Sequence, residues 1–167
     1  MLFTAGDIQA TIGFFLGVAL TSWATLLAFK LLFPTRVTGA AEALEQQTWK
    51  TVLIGAAFFL IVGLASVTLL GVALPIAKLV GMVMLGWLLA VSLVGAGGLT
   101  TLLARRIEEM GAGLSPFATY SRASLVLIGF CLLPLAGWFV FAPAILAVSA
   151  GAGWMVVMGR TPRQVAA

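Results

Sequence analysis

Long apolar runs separated by short polar stretches fill most of this chain. A helix rises about 1.5 Å per residue, so roughly 20 apolar residues cross the hydrocarbon core of a bilayer. Three runs of at least this length cover residues 8–33, 51–74 and 75–104. The pattern predicts an all-α fold: a polytopic transmembrane helix bundle that forms one domain over residues 1–167.

The junction between the second and third runs carries the residues of a tight turn. Pro75 is the first residue of the third run, and Gly71 lies four residues before it. Proline is accommodated in the first turn of a helix and interrupts a helix interior. We therefore expect a turn over Gly71–Pro75 between two spans.

The final apolar stretch, residues 123–159, is too long for one span. As a single helix it would measure about 55 Å, whereas the hydrocarbon core is about 30 Å thick. Two prolines with a glycine between them predict a turn in its middle. The expected turn residues are Pro134, Gly137, Trp138 and Pro143. The stretch then forms two spans, about residues 121–138 and 142–159, or a re-entrant membrane hairpin.

The distribution of Lys and Arg tests the number of spans, because cytoplasmic loops carry most of these residues. With five spans, only Lys78 of the nine Lys and Arg residues falls on the opposite side from the rest. With four spans, Arg160 and Arg163 would lie on the opposite side of the membrane from most of the other Lys and Arg residues. Charge and hydropathy together predict five spans, or three spans plus a C-terminal membrane hairpin, with the N-terminus outside and the C-terminus in the cytoplasm. The expected cytoplasmic-side anchors are Arg36, Lys50, Arg105, Arg106, Arg122, Arg160 and Arg163.

Two polar segments face the cytoplasm in this topology. In residues 34–50, Val37, Ala41 and Leu44 recur at helical spacing, which indicates a short amphipathic helix on the membrane surface or a solvated linker helix. In residues 105–122, the charges continue the third helix until a Gly/Pro stretch ends it. Ser115-Pro116 is expected to begin the next helix.

Composition supports a membrane protein and limits its partners. Hydrophobic residues make up 62% of the chain and charged residues 8%, against roughly 25% charged residues in soluble domains. The formal net charge of +4 is spread along the chain, without the clustered basic patch of a nucleic-acid-binding surface. The expected partners are membrane lipids and other membrane protein subunits, and no nucleic acid.

The sequence offers little material for catalysis or metal binding. It has no His, the commonest metal ligand and general base, and its one Cys, Cys131, lies in an apolar run. An ionisable group deep in a span would be a functional candidate. Instead, Lys30 and Lys78 lie near helix ends, where they are expected to extend to the headgroups. We expect no enzyme activity, no catalytic or metal-binding residue and no cofactor of the chain's own.

Small residues at four-residue spacing are the clearest recognition signal. Gly13 and Gly17 in the first span, and Ala147 and Gly151 in the last, match the spacing at which helices approach closely. The partner helix can belong to this chain or to another protein.

Three tryptophans, Trp23, Trp87 and Trp154, fall inside spans, although aromatic residues prefer the interface. Inner tryptophans indicate side-chain packing, or a bound lipid, carotenoid or quinone in an apolar groove between helices.

From Leu26 onward the chain resembles the membrane module of bactofilin-like, polymer-forming bacterial proteins. The matching elements are Leu31-Leu32-Phe33-Pro34-Thr35-Arg36, the turn Gly71–Pro75, and Leu132-Leu133-Pro134-Leu135-Ala136-Gly137-Trp138. The resemblance covers about four-fifths of the chain and implies a membrane anchor in the bacterial inner membrane. In that family a β-helical domain usually precedes the module, whereas here only Met1–Gln9 precede the first span, so the resemblance extends to anchoring and not to polymerisation.

Three functions remain compatible with these features. The leading one is a non-catalytic integral membrane subunit that packs against a larger assembly, such as a photosynthetic or respiratory complex. The second is a bactofilin-related anchor or scaffold that binds a cytoplasmic partner through its two polar segments. The third is a carrier or channel for an uncharged solute, which the scarcity of polar groups within the spans disfavours.

Overall fold

The computed structural model describes residues 5–111 and 113–159, which form helices joined by short turns, without a β-strand. The helices are α1 (Ala5–Leu32), α2 (Pro34–Gly71), α3 (Pro75–Glu109), α4 (Pro116–Leu132) and α5 (Ala142–Val157), the last preceded by a π-helical segment, Gly137–Phe141. Four apolar helical segments are long enough to cross a membrane, and α4 is shorter. The predicted all-α membrane architecture is confirmed at this level.

The turns around α3 lie where the sequence predicts them. Helix α2 ends at Gly71 and α3 begins at Pro75, which confirms the tight turn. At its other end α3 continues through its charged residues to Glu109. Helix α4 begins at Pro116, and the hydroxyl of Ser115 accepts a hydrogen bond from the amide of Ala118 (3.3 Å), as an N-cap residue does.

The polar segment at residues 34–50 is neither a surface helix nor a solvated linker. It is the first part of α2, which changes direction at Gln47, where the backbone leaves helical geometry (φ −137°, ψ 45°). Its apolar face, including Val37 and Leu44, is buried in the protein. The reason is the glycine pair on α3: without side chains at Gly97 and Gly98, α3 lets this segment approach closely.

The C-terminal hairpin turn is shorter than predicted. Only residues 133–136 separate α4 from the following helical segment, so Pro134 lies in the turn while Gly137 and Trp138 already belong to the π-helical segment. Pro143 lies in the first turn of α5, not in the hairpin turn. Proline has no N–H to donate. The amide of the preceding residue, Ala142, donates to the carbonyl oxygen of Gly137, five residues back, whereas an α-helix bonds four residues back. This local π-helical geometry accommodates the proline in the helix.

Helix α5 is the centre of the bundle. Residues 149–153 are all buried, a continuous run that no other helix shows at comparable length among the described residues. Helices α2 and α3 pack extensively against it and against each other. Helix α1 lies at the periphery: of its residues 6–32, Leu26 alone is buried.

Candidate functional site

Small residues on two opposite faces of α5 place its backbone directly against α2 and α3. A Cβ atom at Gly55 of α2 would overlap the carbonyl oxygen of Ala147, and one at Gly95 of α3 would overlap that of Ser149. Residues two positions apart on a helix point in nearly opposite directions, about 200° apart. Ala147 and Ser149 therefore face opposite neighbours, and α5 is held between α2 and α3.

The next helical turn of α5 repeats the arrangement. Gly151 lies against the carbonyl oxygen of Thr51 in α2, and Gly153 against that of Val91 in α3. Thus the predicted packing pair, Ala147 and Gly151, lies in a contact within the chain. The alternating small residues of the segment Ala147-Val-Ser-Ala-Gly-Ala-Gly153 could have indicated a helix with two packed faces.

The other predicted pair, Gly13 and Gly17, has no close neighbour among residues 5–111 and 113–159. A Cβ atom at either position would meet nothing within 4 Å. Together with Thr21 these residues form a row at four-residue spacing along α1. Phe14, Val18 and Ser22 complete the walls of a shallow depression of about 410 Å³ around them. We call the row Gly13, Gly17 and Thr21 the open α1 face.

The second half of α1 is attached to α4 by hydrogen bonds. The indole N–H of Trp23 donates to Ser121 Oγ (3.1 Å), and the Tyr120 hydroxyl donates to the Leu26 carbonyl oxygen (3.3 Å). All four groups lie in the C-terminal half of α1 or the first two turns of α4. The chain thus holds α1 at one end and leaves the open α1 face uncovered at the other.

These bonds should contribute modestly to the stability of the bundle. We expect Tyr120→Phe to lower the free energy of unfolding by about 0.6–1.7 kcal/mol, the range for a single hydrogen bond between membrane helices. Unfolding by increasing SDS in mixed micelles measures this change. A variant as stable as the wild type would show that the Tyr120–Leu26 bond contributes nothing, and Tyr120→Leu, which also removes the ring, provides the larger reference loss.

Lys30 turns toward the neighbouring helices of the bundle. Its ammonium Nζ lies 3.4 Å from Thr101 Oγ1 and 5.5 Å from the centre of the Tyr120 ring. The side chain turns inward because α3 and α4 supply a hydroxyl and an aromatic face at its level. Lys78, in the first turn of α3, is exposed.

The predicted anchors within the described residues differ in position and pairing: Arg36, Arg105 and Arg106 lie near helix ends, whereas Lys50 and Arg122 lie inside α2 and α4. Arg105 forms an ion pair with Glu45 (3.2 Å), and Arg106 forms one with Glu109 (3.0 Å). Arg36 lies 5.9 Å from the centre of the Phe33 ring. Lys50 and Arg122 are exposed, and Arg160 and Arg163 lie outside the described residues.

Buried hydroxyl groups form a polar component of the core that the charge pattern did not reveal. Thr51 is fully buried, and its hydroxyl lies 3.3 Å from the Ala43 carbonyl oxygen and 3.1 Å from Met155 Sδ. Ser92 and Ser149 are also buried, and neither hydroxyl has a hydrogen-bond partner among the described residues. Small hydroxyl residues fit the close contacts around α5 because of their size.

The three inner tryptophans have different surroundings. Trp154 stacks on Phe58 (ring centres 4.4 Å apart), and Trp23 bonds to α4, so both pack within the protein. The Trp87 side chain is half exposed and lines a cavity between helices. Of the three, Trp87 thus has the surroundings that best fit the expected bound lipid, carotenoid or quinone.

Contacts between helices are the main feature of the geometry described above. Within residues 5–111 and 113–159, no group of three or more His, Cys, Asp or Glu side chains could hold a metal ion. Comparison with models of known protein families, with curated proteins and with solved structures gave no match. A functional assignment therefore depends on the geometry of the chain itself.

Proposed function

We propose that this chain is a non-catalytic integral membrane subunit that packs against a larger membrane assembly through the open α1 face. The supporting observation is the contrast between two sets of glycines. Gly55, Gly95 and Gly151 are each in backbone contact with another helix of the chain, whereas Gly13 and Gly17 have nothing within 4 Å. A glycine row of this spacing permits the same close approach by a helix from another subunit.

The polar groups beside the open α1 face fit this role. Thr21 is exposed and Ser22 is half-buried, so hydroxyl groups continue the row formed by the two glycines. Hydroxyl side chains form hydrogen bonds between membrane helices, and close packing of the backbones brings them within reach. A second transmembrane helix is therefore a better match for this face than lipid chains are.

The bactofilin-related anchor role is supported less well. That hypothesis used the segment at residues 34–50 as a docking helix for a cytoplasmic partner. Its apolar residues, such as Val37 and Leu44, are buried within the chain, so they offer no apolar face to such a partner. Its polar side, with exposed Glu45, and the exposed Trp49 near its end remain for contact.

For the membrane topology we propose three spans plus a C-terminal re-entrant hairpin, with the N-terminus outside. Phe15 of α1 lines a cavity together with the hairpin residues Pro134 and Trp138. Phe15 lies about 10 Å along α1 from Ile8, where the first apolar run begins, and so within a hydrocarbon core about 30 Å thick. Helix α4 has 17 residues, about 25 Å, and is shorter than the core is thick, whereas the other arm of the hairpin, Gly137–Val157, is one of the four segments long enough to cross.

The hairpin turn is built to tolerate an apolar environment. Backbone amides in hydrocarbon must find partners within the protein. The amide of Ala136 donates to Pro134 O (2.8 Å), and that of Gly137 donates to Leu133 O (2.8 Å). Two amides of the turn therefore have partners inside the turn, which lowers the cost of placing it below the membrane surface.

Cysteine labelling tests this topology. In a Cys131→Ala background, we expect a cysteine at Ala136 to resist a membrane-impermeant maleimide added outside intact cells, because the turn lies within the membrane. A cysteine at Ala73, in the turn between α2 and α3, is the matched control and should react. Equal labelling of both positions would show that α4 and α5 are complete spans.

The test of the proposed function is purification of the tagged full-length chain from its native membrane in mild detergent. Co-migration with a defined set of membrane proteins, lost when the open α1 face is altered, supports the proposal. A chain that migrates alone under the mildest conditions contradicts it. Recovery with a filament-forming protein would favour the anchor role instead.

A further inference from the structure

The cavity that Trp87 lines is separate from the open α1 face and lies where α1, α2, α3 and α5 meet. Its volume is about 180 Å³. Apolar side chains form most of its wall, including Phe29, Phe33, Trp87, Val94 and Val157. Because Trp87 is half exposed, the cavity is open to the surroundings of the protein, which are lipid for a membrane helix.

One charged side chain, Arg36, lines this apolar cavity. Its guanidinium group lies over the Phe33 ring at 5.9 Å, and it has no acidic partner among the described residues. Arg105, by contrast, is paired with Glu45. Arg36 is exposed, so its guanidinium is accessible to an anion beside the cavity, and guanidinium groups bind phosphate through charge-assisted hydrogen bonds.

The start of α2 adds to this preference. Helix α2 begins at Pro34, between the lining residues Phe33 and Arg36, and no side chain caps its first turn. Pro34 has no N–H, and the Val37 amide donates to the Phe33 carbonyl oxygen (3.0 Å). The amides of Thr35 and Arg36 therefore remain at this positive end of the helix dipole. Helix starts of this kind bind phosphate groups.

From the cavity, the unpaired charge and the uncapped helix start, we infer that this site binds one anionic phospholipid. Its phosphate contacts Arg36 and the first turn of α2, and part of one acyl chain lies between Trp87 and Val94. The charge supports an anionic phospholipid over a quinone or carotenoid, because only the phospholipid carries a phosphate that Arg36 can bind, and the small cavity then holds a segment of its acyl chain. This inference does not depend on the proposed subunit role.

Native mass spectrometry of the full-length chain in mild detergent tests the site. Phosphatidylglycerol and phosphatidylcholine with the same acyl chains are added at equal concentration, and the lipid retained per protein is measured. We expect wild type to retain one phosphatidylglycerol with a preference of about fivefold, as one basic residue provides near an anionic membrane. Arg36→Gln should reduce this preference to about one, and Arg36→Lys should keep part of it.

Two further variants separate the site from general effects. Arg106→Gln removes a positive charge away from the cavity and should leave the preference unchanged. Ala90→Leu narrows the cavity without altering its charge and should lower the retention of both lipids. The inference is overturned if Arg36→Gln retains phosphatidylglycerol as wild type does, if Arg106→Gln loses the preference equally, or if inorganic phosphate alone displaces the lipid, which would show that the acyl chain takes no part.

Discussion

Replacing Gly95 or Gly151 by Ala is expected to separate α5 from its neighbours and to destabilise the bundle by at least about 3 kcal/mol, the upper part of the usual range for overpacking. The added methyl group at either position overlaps backbone: the Ser149 carbonyl for Gly95, and the Thr51 carbonyl for Gly151. A side chain could rotate away from such an overlap, but backbone can give way only if whole helices move apart. The dispersion contacts around the buried run 149–153 are then lost.

Thermal unfolding of the purified chain, followed by tryptophan fluorescence, measures this effect, because Trp154 stacks on Phe58 across the α5–α2 contact. Gly86→Ala is the matched control: the same substitution in the same helix, α3, at a glycine with nothing within 4 Å. The control should be as stable as wild type or slightly more stable, since Ala favours helix over Gly by about 1 kcal/mol. Similar stabilities of Gly95→Ala and Gly86→Ala would refute the central position of α5.

The second large effect concerns assembly rather than folding. The double variant Gly13→Leu, Gly17→Leu should lose its partner proteins in native purification while its own thermal unfolding stays within about 0.5 kcal/mol of wild type, as for other exposed positions. Bulky side chains on the open α1 face hold a partner helix away, at a cost of about 1–3 kcal/mol for each contact. Within the chain, the same side chains meet open space.

Gly129→Leu serves as the control for this prediction. Gly129 is an exposed glycine in α4, also with nothing within 4 Å, but it lies outside the open α1 face. Its variant should keep both stability and partners. If the double variant also keeps its partners, the open α1 face meets lipid and the proposed subunit role loses its main support; if it unfolds, the first half of α1 packs within the chain after all.

Together the two predictions distinguish a small-residue pair that packs within the chain from one that packs against another protein. Ala147 and Gly151 are related by the same spacing as Gly13 and Gly17. The spacing predicted close helix contact for both pairs, without identifying the partner. Only the positions of the other helices show that α2 covers the first pair and that no part of the described chain covers the second.

The sequence by itself determined the elements that depend on local chemistry. Apolar runs of sufficient length specify helices, because a backbone in hydrocarbon must satisfy its hydrogen bonds within the segment. The turn at Gly71–Pro75 and the start of α4 at Ser115-Pro116 follow from the conformational limits of proline and the capping hydroxyl of serine. These features need no information from distant residues.

The tertiary structure decided the features that depend on contacts between residues far apart in the sequence. The segment at residues 34–50 is amphipathic in sequence. Whether its apolar face contacts lipid or protein is decided by the space that Gly97 and Gly98 leave on α3. Lys30 turned inward because Thr101 and Tyr120 lie opposite it. Amphipathic pattern and charge describe what a surface can contact, and the contact itself depends on the shape of the neighbouring helices, which no local stretch of sequence contains.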